Sequence, residues 1–235
     1  MNTRNPKNMW ADGWPYARLV DPLLAGLRGF VLKDVGENAT VVDVCAGTGR
    51  LALELAPRSA SVLGVDLSPR MVAYAEAQRL RSAASNVTFR LGDAAHLNDL
   101  ADGAFDVGTI VLGLHEMPAA TRVPVLRELA RIARRVLAVD FAVPMPWNIA
   151  GLRNRFLEVA GGPEHFAGFR DYTRRGGLQT LAGEAGLIVD DEGTLLGSAK
   201  MGPNRPGRGG HIGTASFMVG TAARGQGVGR ALAED

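Results

Sequence analysis

Three aspartates stand at or near the ends of three successive apolar stretches in this sequence. Asp43 lies in the run 41–45, Asp66 ends the run 61–66, and Asp93 follows the alternating run 86–92. Each run has the length and composition of a strand, and parallel strands bring their carboxyl ends to one edge of a sheet, where ligands of such sheets bind. We therefore expect the three carboxylates to share one ligand site. A row of negative charge favours a cationic ligand over a phosphorylated one.

A turn with two glycines follows the first of these strands. Gly47-Thr48-Gly49 comes directly after it, and apolar residues at helical spacing predict a helix over residues 50–56. Glycines allow a ligand to approach the backbone, and the helix start offers free N–H groups. The strand, turn and helix predict the opening of a βαβ nucleotide-binding unit. The spacing Gly47-x-Gly49-x-x-Ala52 also fits the loose dinucleotide fingerprint, so a NAD(P)-dependent oxidoreductase is the alternative.

The position of Asp43 separates these two functions. It stands four residues before Gly47, where a pyrophosphate would bring two anions together. S-adenosylmethionine (SAM) has no phosphate and carries an ammonium beside a sulfonium. The segment D-V-C-A-G-T-G at 43–49 resembles the first motif of class I SAM-dependent methyltransferases, and G-V-D-L-S-P-R-M at 64–71 is similar to their second. The resemblance covers roughly residues 14–200 and is to the small-molecule, UbiE-like (type 11) branch of the class.

This resemblance implies a fold, a cofactor and a reaction. The fold is α/β: a Rossmann-like, doubly wound, mostly parallel seven-stranded sheet with a helical insertion after the fifth strand. The cofactor is SAM, and the reaction transfers its methyl group to a small-molecule acceptor. The implied cofactor-binding residues are Asp43, Ala46, Gly47, Thr48 and Gly49 at the methionine end, Asp66, Leu67 and Met71 at the ribose and adenine, Asp93 and Ala94 at the adenine, and Leu112 and Tyr16 around them. Two alternatives stay open, since Asp93 can cap a turn and Tyr16 can cap the core.

His115 and Glu116 are the candidate catalytic residues. They follow the predicted fourth strand, 105–112, which lies next to the first strand in this fold and therefore faces the transferred methyl. Both side chains can accept a proton, and imidazole titrates near neutrality, so we predict acceptor contact or proton removal. The alternative is that His115 caps the next helix and Glu116 is solvated. The one cysteine, Cys45, excludes an internal disulfide and multi-cysteine metal sites; we take it as a core residue of the first strand and predict no metal.

Composition narrows the partners. The 235 residues are 46% hydrophobic and 21% charged, with a net charge of +2 and interspersed signs, which argues against a dedicated nucleic-acid binder. Neither an export signal nor an apolar window long enough to span a membrane is recognised. We expect a cytoplasmic monomer or homodimer that acts on a small molecule, without nucleic-acid or membrane partners.

The chain is expected to divide into four regions. Residues 1–32 form an N-terminal helical lid, 33–200 the SAM-binding domain, 201–210 a Gly/Pro linker, and 211–235 an edge strand or an incomplete second domain. Within the second region, the aromatic and arginine-containing stretch 144–175 is predicted to build the acceptor pocket. Further expected elements are a helix at 119–135, a fifth strand at 135–141 and a sixth at 187–196. The arginines of that helix are predicted to form a solvated face: Arg122, Arg127, Arg131 and Arg134.

The C-terminal stretch carries a second resemblance. R-G-Q-G-V-G at 224–229, after the strand-like run 212–219, is similar to the acetyl-CoA motif of GNAT-type N-acetyltransferases. Three explanations stay open: a truncated two-domain protein, a chimeric or frame-shifted end, or an edge strand for the methyltransferase sheet at 212–219. Because a phosphate-binding turn without its own sheet cannot hold CoA in place, we predict no acetyltransferase activity.

Overall fold

The computed structural model describes residues 13–187 and the backbone of residues 214–220. These residues contain one sheet, with the strand order β3-β2-β1-β4-β5-β6. Its strands are β1 (Ala39–Val44), β2 (Ser59–Asp66), β3 (Val87–Leu91), β4 (Phe105–Val111), β5 (Ala133–Phe141) and β6 (Thr214–Gly220). The first five are parallel, and β6 pairs antiparallel with β5. The order reverses between β1 and β4, which is where a sheet of this kind binds its ligand.

Helices connect and cover these strands. They are α1 (Gly13–Leu19), α2 (Ala25–Asp34), α3 (Arg50–Leu55), α4 (Pro69–Ser82), α5 (Ala119–Ile132), α6 (Ile149–Ala160), α7 (Pro163–Arg174) and α8 (Gly177–Ala185). A 3₁₀ helix at Asp21–Leu24 joins the first two. In the part of the chain that the structure describes, no helix has the length and apolar character needed to cross a membrane.

Strand β1 shows why the sheet is covered on both faces. Val42 and Val44 pack in one apolar cluster with residues of α5 and α8, whereas Val41 packs in a second cluster with residues of α2 and α3. Successive side chains of a strand point to opposite faces, so a strand between two helical layers must be apolar at nearly every position. The largely apolar sequence of β1 follows from this arrangement.

The predicted α/β fold with a mostly parallel sheet is confirmed, but the predicted count of seven strands is not. Five parallel strands and one antiparallel strand lie within the described residues. Strand β6 lies at the predicted edge-strand position, 212–219. Residues 188–196 of the predicted sixth strand, the linker 201–210 and the glycine turn 224–229 lie outside the described residues.

Two predictions about single residues are wrong. Cys45 is not inside a strand: β1 ends at Val44, and Cys45 is a half-buried loop residue with a φ of 57°. Arg122 is not solvated, because only 1% of it is exposed. Its guanidinium donates to the carbonyl oxygens of Leu114 (3.0 Å) and Gly168 (2.9 Å), and pairs with Asp171 (2.8 Å). The periodicity of α5 predicted its core-facing residues, but it could not show that α7 covers the face that carries Arg122.

Candidate cofactor site and adjoining pocket

The two glycines of the first loop have different reasons to be glycine. Both have left-handed backbones, with φ of 54° at Gly47 and 75° at Gly49, where α3 begins. A Cβ at Gly47 would meet only the Cys45 carbonyl oxygen, 3.9 Å away, so this position is open to a ligand. A Cβ at Gly49 would come within 2.5 Å of the Phe89 ring. Packing against β3, rather than ligand access, explains Gly49.

Asp66 joins the glycine loop to the next helix. Its Oδ2 accepts a hydrogen bond from the Gly47 N–H (2.8 Å), and its Oδ1 accepts one from the Ser68 N–H (2.8 Å). Burial raises the pKa of Asp66, and these backbone N–H groups oppose that rise. The carboxylate therefore lies beside the open position at Gly47, as a site at the ends of β1 and β2 requires. Its predicted contact with a ribose stays a prediction.

Asp43 is buried and is not exposed at the edge of the sheet. Only 2% of it is exposed, and its Oδ1 accepts a hydrogen bond from the Thr109 hydroxyl of β4 (2.7 Å). Burial raises the pKa of Asp43 to about 7; the Thr109 hydrogen bond lowers it, and the charge of Asp66 adds to the rise. The sequence identified the acid but not its hydroxyl partner, which lies 66 residues away.

The other predicted cofactor residues lie along the same edge of the sheet. Asp93 follows β3 and accepts a hydrogen bond from the Ala95 N–H (3.0 Å), the turn-capping contact given above as its alternative. Ala94 and Met71 are buried, whereas Leu67 is exposed. Leu112 follows β4 with a left-handed φ of 54°.

Thr48 makes a contact that the sequence does not predict. Its hydroxyl donates to Asp21 Oδ2 (2.7 Å), and both residues are buried. Arg28 donates to the Asp21 carbonyl oxygen (2.7 Å) and to Glu54 Oε2 (2.9 Å). These bonds fix the N-terminal helical segment onto the glycine loop and α3. Asp21 and Thr48 are 27 residues apart and share no motif, so no spacing rule could have paired them.

A cavity of about 680 Å³, partly open to solvent, adjoins this edge of the sheet. The N-terminal segment, the loop after β4, β5, α6 and α7 form its walls. Its lining residues are Tyr16, Val20, Leu23, Leu24, Leu112, His115, Glu116, Phe141, Arg153, Asn154, Leu157, Glu158 and His165. Both candidate catalytic residues line it, as do two predicted cofactor residues, Tyr16 and Leu112. Burial raises the pKa of Tyr16 well above its usual range.

His115 is held at the polar end of this cavity. It is 2% exposed, and its Nδ1 lies 2.7 Å from Oδ1 of Asp140, which is fully buried. Asp140 Oδ2 also accepts hydrogen bonds from the N–H groups of Leu114 (2.9 Å) and His115 (3.1 Å). Burial lowers the pKa of His115, but the charge and hydrogen bond of Asp140, with Glu158 and Glu116, outweigh burial and raise it to about 9. The contact with Asp140 directs Nε2 towards the other acids.

Two residues of the helical insertion complete this polar end, and neither received a role from the sequence. His165 Nε2 lies 2.7 Å from Glu158 Oε2, which is 3.5 Å from His115 Nε2. Burial lowers the pKa of His165, but the close contact with Glu158 and the charge of Glu116 outweigh burial and raise it. Glu116 Oε1 lies 3.8 Å from both imidazoles. An acid and a histidine on separate helices carry no signal in sequence, because only the packing of α6 against α7 brings them together.

Two family models match the chain. The family described as "Methyltransferase domain" matches residues 41–137, which include most of β1, all of β2 to β4 and most of the cofactor positions. The family described as "Acetyltransferase (GNAT) family" matches residues 149–235. This second match extends well beyond the tail in which the sequence shows the acetyl-CoA motif, and it begins in α6.

Several curated relatives are named as methyltransferases. The chain is 32% identical to a demethylmenaquinone methyltransferase of Beutenbergia cavernae over 163 residues, which cover 62% of this chain and 64% of that protein. It is 29% identical over 126 residues to a ubiquinone/menaquinone biosynthesis C-methyltransferase UbiE of Citrifermentans bemidjiense, covering 50% of this chain and 52% of that protein. The chain thus spans about half the length of several of the curated relatives it matches.

Solved structures support the fold. A SAM-dependent methyltransferase from Aquifex aeolicus superposes with a TM-score of 0.59 at 19% identity, covering 88% of this chain and 98% of that one. A TehB-like SAM-dependent methyltransferase from Corynebacterium glutamicum gives a TM-score of 0.54 at 18% identity, covering 88% and 97%. The resemblance noted in the sequence is confirmed: residues 41–137 match a methyltransferase family model, and the fold is similar to that of solved SAM-dependent methyltransferases.

Proposed function

We propose that this protein is a SAM-dependent methyltransferase that transfers a methyl group to a small-molecule acceptor. One observation carries the proposal: the cavity shares Tyr16 and Leu112 with the predicted cofactor site. A ligand held along Gly47, Asp66 and Asp93 would therefore meet a second ligand in the cavity at the carboxyl ends of β1 and β4. Such adjacency is what direct transfer between two bound molecules needs.

The residues along the sheet edge fit SAM. Gly47 leaves room for the methionine end, Asp66 offers carboxylate oxygens to the ribose, and Asp93 and Ala94 lie where an adenine would reach β3. The exposed Leu67 provides an apolar surface for the nucleoside. When bound, SAM supplies a methyl group already activated on its sulfonium. The chain's own part is to orient the two molecules and to exclude water from between them.

The cavity indicates the class of acceptor. Apolar side chains make most of the wall of the cavity. Its polar groups include those of His115, Glu116, Arg153 and Asn154. We propose an acceptor that is mainly apolar and carries at least one polar group, held by contact with His115 and Glu116. This agrees with the quinones that appear in the names of the two curated relatives above. Helices α1 and α2 act as the lid, and the insertion 144–175 sets acceptor choice.

Calorimetric titration tests the cofactor assignment. We expect SAM and its demethylated product to bind, and NADH not to bind. Asp66→Ala should weaken SAM binding by about 1.5–3 kcal/mol, as for a lost charge-assisted hydrogen bond. The control is Asp99→Ala, since the Asp99 carboxylate is 61% exposed and pairs only with Arg90 in the described residues. Unchanged affinity in Asp66→Ala would remove Asp66 from the site, and tight NADH binding would favour the oxidoreductase alternative.

Turnover separates an enzyme from a non-catalytic binding module. With a panel of phenolic, quinone-type and carboxylated acceptors, we expect release of demethylated SAM with at least one of them. Glu116→Gln keeps the shape of the pocket but removes the charge of this carboxylate. We expect this variant to turn over more slowly than the unaltered chain. SAM binding without turnover on any acceptor class would leave a binding module as the better description.

A further inference from the structure

We propose that His115, Glu158 and His165 form a binding site for a divalent first-row transition-metal ion of the zinc type. The three side chains come from the loop after β4, from α6 and from α7, and meet at the polar end of the cavity. The sequence predicts no metal site, because these positions form no ligand-spacing motif. The proposal does not depend on which reaction the cavity supports.

The three ligand atoms are close enough to share one ion. One atom from each residue lies within 4.8 Å of the others. Glu158 Oε2 is 2.7 Å from His165 Nε2 and 3.5 Å from His115 Nε2. Zinc bonds of about 2.0–2.2 Å at tetrahedral angles place ligand atoms roughly 3.3–3.6 Å apart. Of the three pairs, the one at 3.5 Å already has this separation, and the one at 2.7 Å needs to open by less than about 1 Å. The two imidazole nitrogens lie within 4.8 Å of each other and need to approach by at most about 1.5 Å.

Glu158 has an oxygen available to an ion. Its Oε2 is buried, yet it makes no hydrogen bond of acceptable geometry in the described structure despite the nearby imidazoles. Glu158 and His165 are themselves 6% and 7% exposed. An unsatisfied buried carboxylate oxygen is costly, and a cation between it and the two imidazole nitrogens would satisfy it.

Asp140 supports His115 in the way that a metal-binding histidine needs. Ligating histidines usually donate their other ring N–H to a carboxylate or carbonyl oxygen, which fixes the tautomer and the ring orientation. Here Asp140 Oδ1 lies 2.7 Å from His115 Nδ1, leaving Nε2 to face Glu158. Backbone N–H groups of Leu114 and Phe141 hold Asp140 in turn. The fold therefore provides both the Asp140 carboxylate that orients His115 and the backbone N–H groups that hold Asp140.

The donor set indicates the ion. Two imidazoles and one carboxylate suit zinc and its neighbours, whereas magnesium and calcium prefer oxygen ligands alone. Three protein ligands leave a coordination position towards the cavity, which water or an oxygen of the cavity's ligand would fill. The competing description is a metal-free network in which His165 pairs with Glu158 and His115 with Asp140.

Metal titration of the untagged full chain decides between these descriptions. After chelator treatment and dialysis, calorimetry with Zn²⁺ should show one ion per chain, and Co²⁺ should give visible absorption bands. His165→Ala and Glu158→Gln should each weaken Zn²⁺ binding by about 100-fold and abolish the Co²⁺ bands. His96→Ala is the matched control, since the His96 side chain is 70% exposed and does not line the cavity. This variant should bind Zn²⁺ as the unaltered chain does.

Two results would overturn the proposal: no ion bound by the unaltered chain, or undiminished binding by Glu158→Gln. Glu158→Gln keeps the shape of the side chain, so it decides the question even if His165→Ala fails to fold, which circular dichroism reports. SAM titration of the same samples keeps the two proposals apart. Zinc binding without SAM binding would contradict the proposed function alone, and SAM binding without zinc binding would contradict the metal site alone.

Discussion

A buried carboxylate bonded to a hydroxyl, as at Asp43, differs from a carboxylate on a ligand-facing rim. The sequence places an acid at the end of β1, and charge complementarity assigns it to a cation; the structure gives it a hydroxyl partner on β4 and almost no exposure. Local pattern predicts which residue types reach the sheet edge. How deeply each lies depends on the neighbouring strand, which the pattern does not contain.

The raised pKa of Asp43 predicts a pH-dependent stability. In the unfolded chain the carboxyl ionises near pH 4, whereas in the folded protein its pKa is about 7. Between these values the folded state holds the extra proton, so the contribution of Asp43 to the free energy of unfolding falls as pH rises from 4 to 7. Asparagine does not ionise, so Asp43→Asn removes this fall in the free energy of unfolding. We expect the variant to be more stable relative to the unaltered chain at pH 8 than at pH 5, by about 1–3 kcal/mol.

Urea unfolding of both proteins at the two pH values measures this difference. Asp99→Asn serves as the control, because the Asp99 carboxylate is exposed and its pKa is lowered by Arg90. An Asp43→Asn effect of the same size at pH 5 and pH 8 would mean that the buried carboxyl does not titrate in this range.

Elements governed by local rules were predictable, and contacts between elements were not. Ser68 and Pro69 predict the start of α4, and the structure has the Ser68 hydroxyl accepting from the Met71 N–H (3.3 Å) with Pro69 at the first helical position. The pairing of Thr48 with Asp21 and that of Glu158 with His165 could not be found this way, because each joins elements whose mutual packing no local rule specifies.

Arg122 allows a stability prediction at the level of elements. Its buried guanidinium bonds the loop after β4 to α7 through carbonyl oxygens and Asp171. Arg122→Met keeps the length of the side chain but leaves buried carbonyl oxygens without donors. Leaving buried acceptors unpaired in this way costs about 1–3 kcal/mol of unfolding free energy. The Asp171 carboxylate adds little to this cost, because its side chain is 38% exposed. Urea unfolding measures the loss.

Arg134→Met is the matched control on the same stretch of chain. The Arg134 side chain is 73% exposed and pairs with Asp106 at 3.1 Å, so its loss should cost less than about 1 kcal/mol. Equal effects of the two substitutions would show that the Arg122 contacts add no more than a surface ion pair does.

At the scale of the whole molecule, two family models match different parts of the same chain. The methyltransferase match, 41–137, contains the sheet edge with the cofactor positions, and the acetyltransferase match, 149–235, begins in helices that line the cavity. Within the second match the described residues form α6, α7, α8 and one strand, β6. That strand pairs along its length with β5, from Arg135↔Gly220 to Phe141↔Thr214. The strand before the glycine turn 224–229 thus belongs to the same sheet as β1 to β5.

This pairing leads to the prediction that the full chain binds no acetyl-CoA. A glycine turn holds a pyrophosphate only when a strand and a helix on a supporting sheet aim its N–H groups at one point. Strand β6 is committed to β5, and the other described elements of the match are helices. Calorimetry should therefore detect no acetyl-CoA binding under conditions in which SAM binds. Saturable binding that is lost in a Gly227→Ala, Gly229→Ala double variant would contradict this prediction. It would show that the turn 224–229 binds acetyl-CoA without a sheet of its own, and acetyl transfer would then have to be tested as a second activity of this chain.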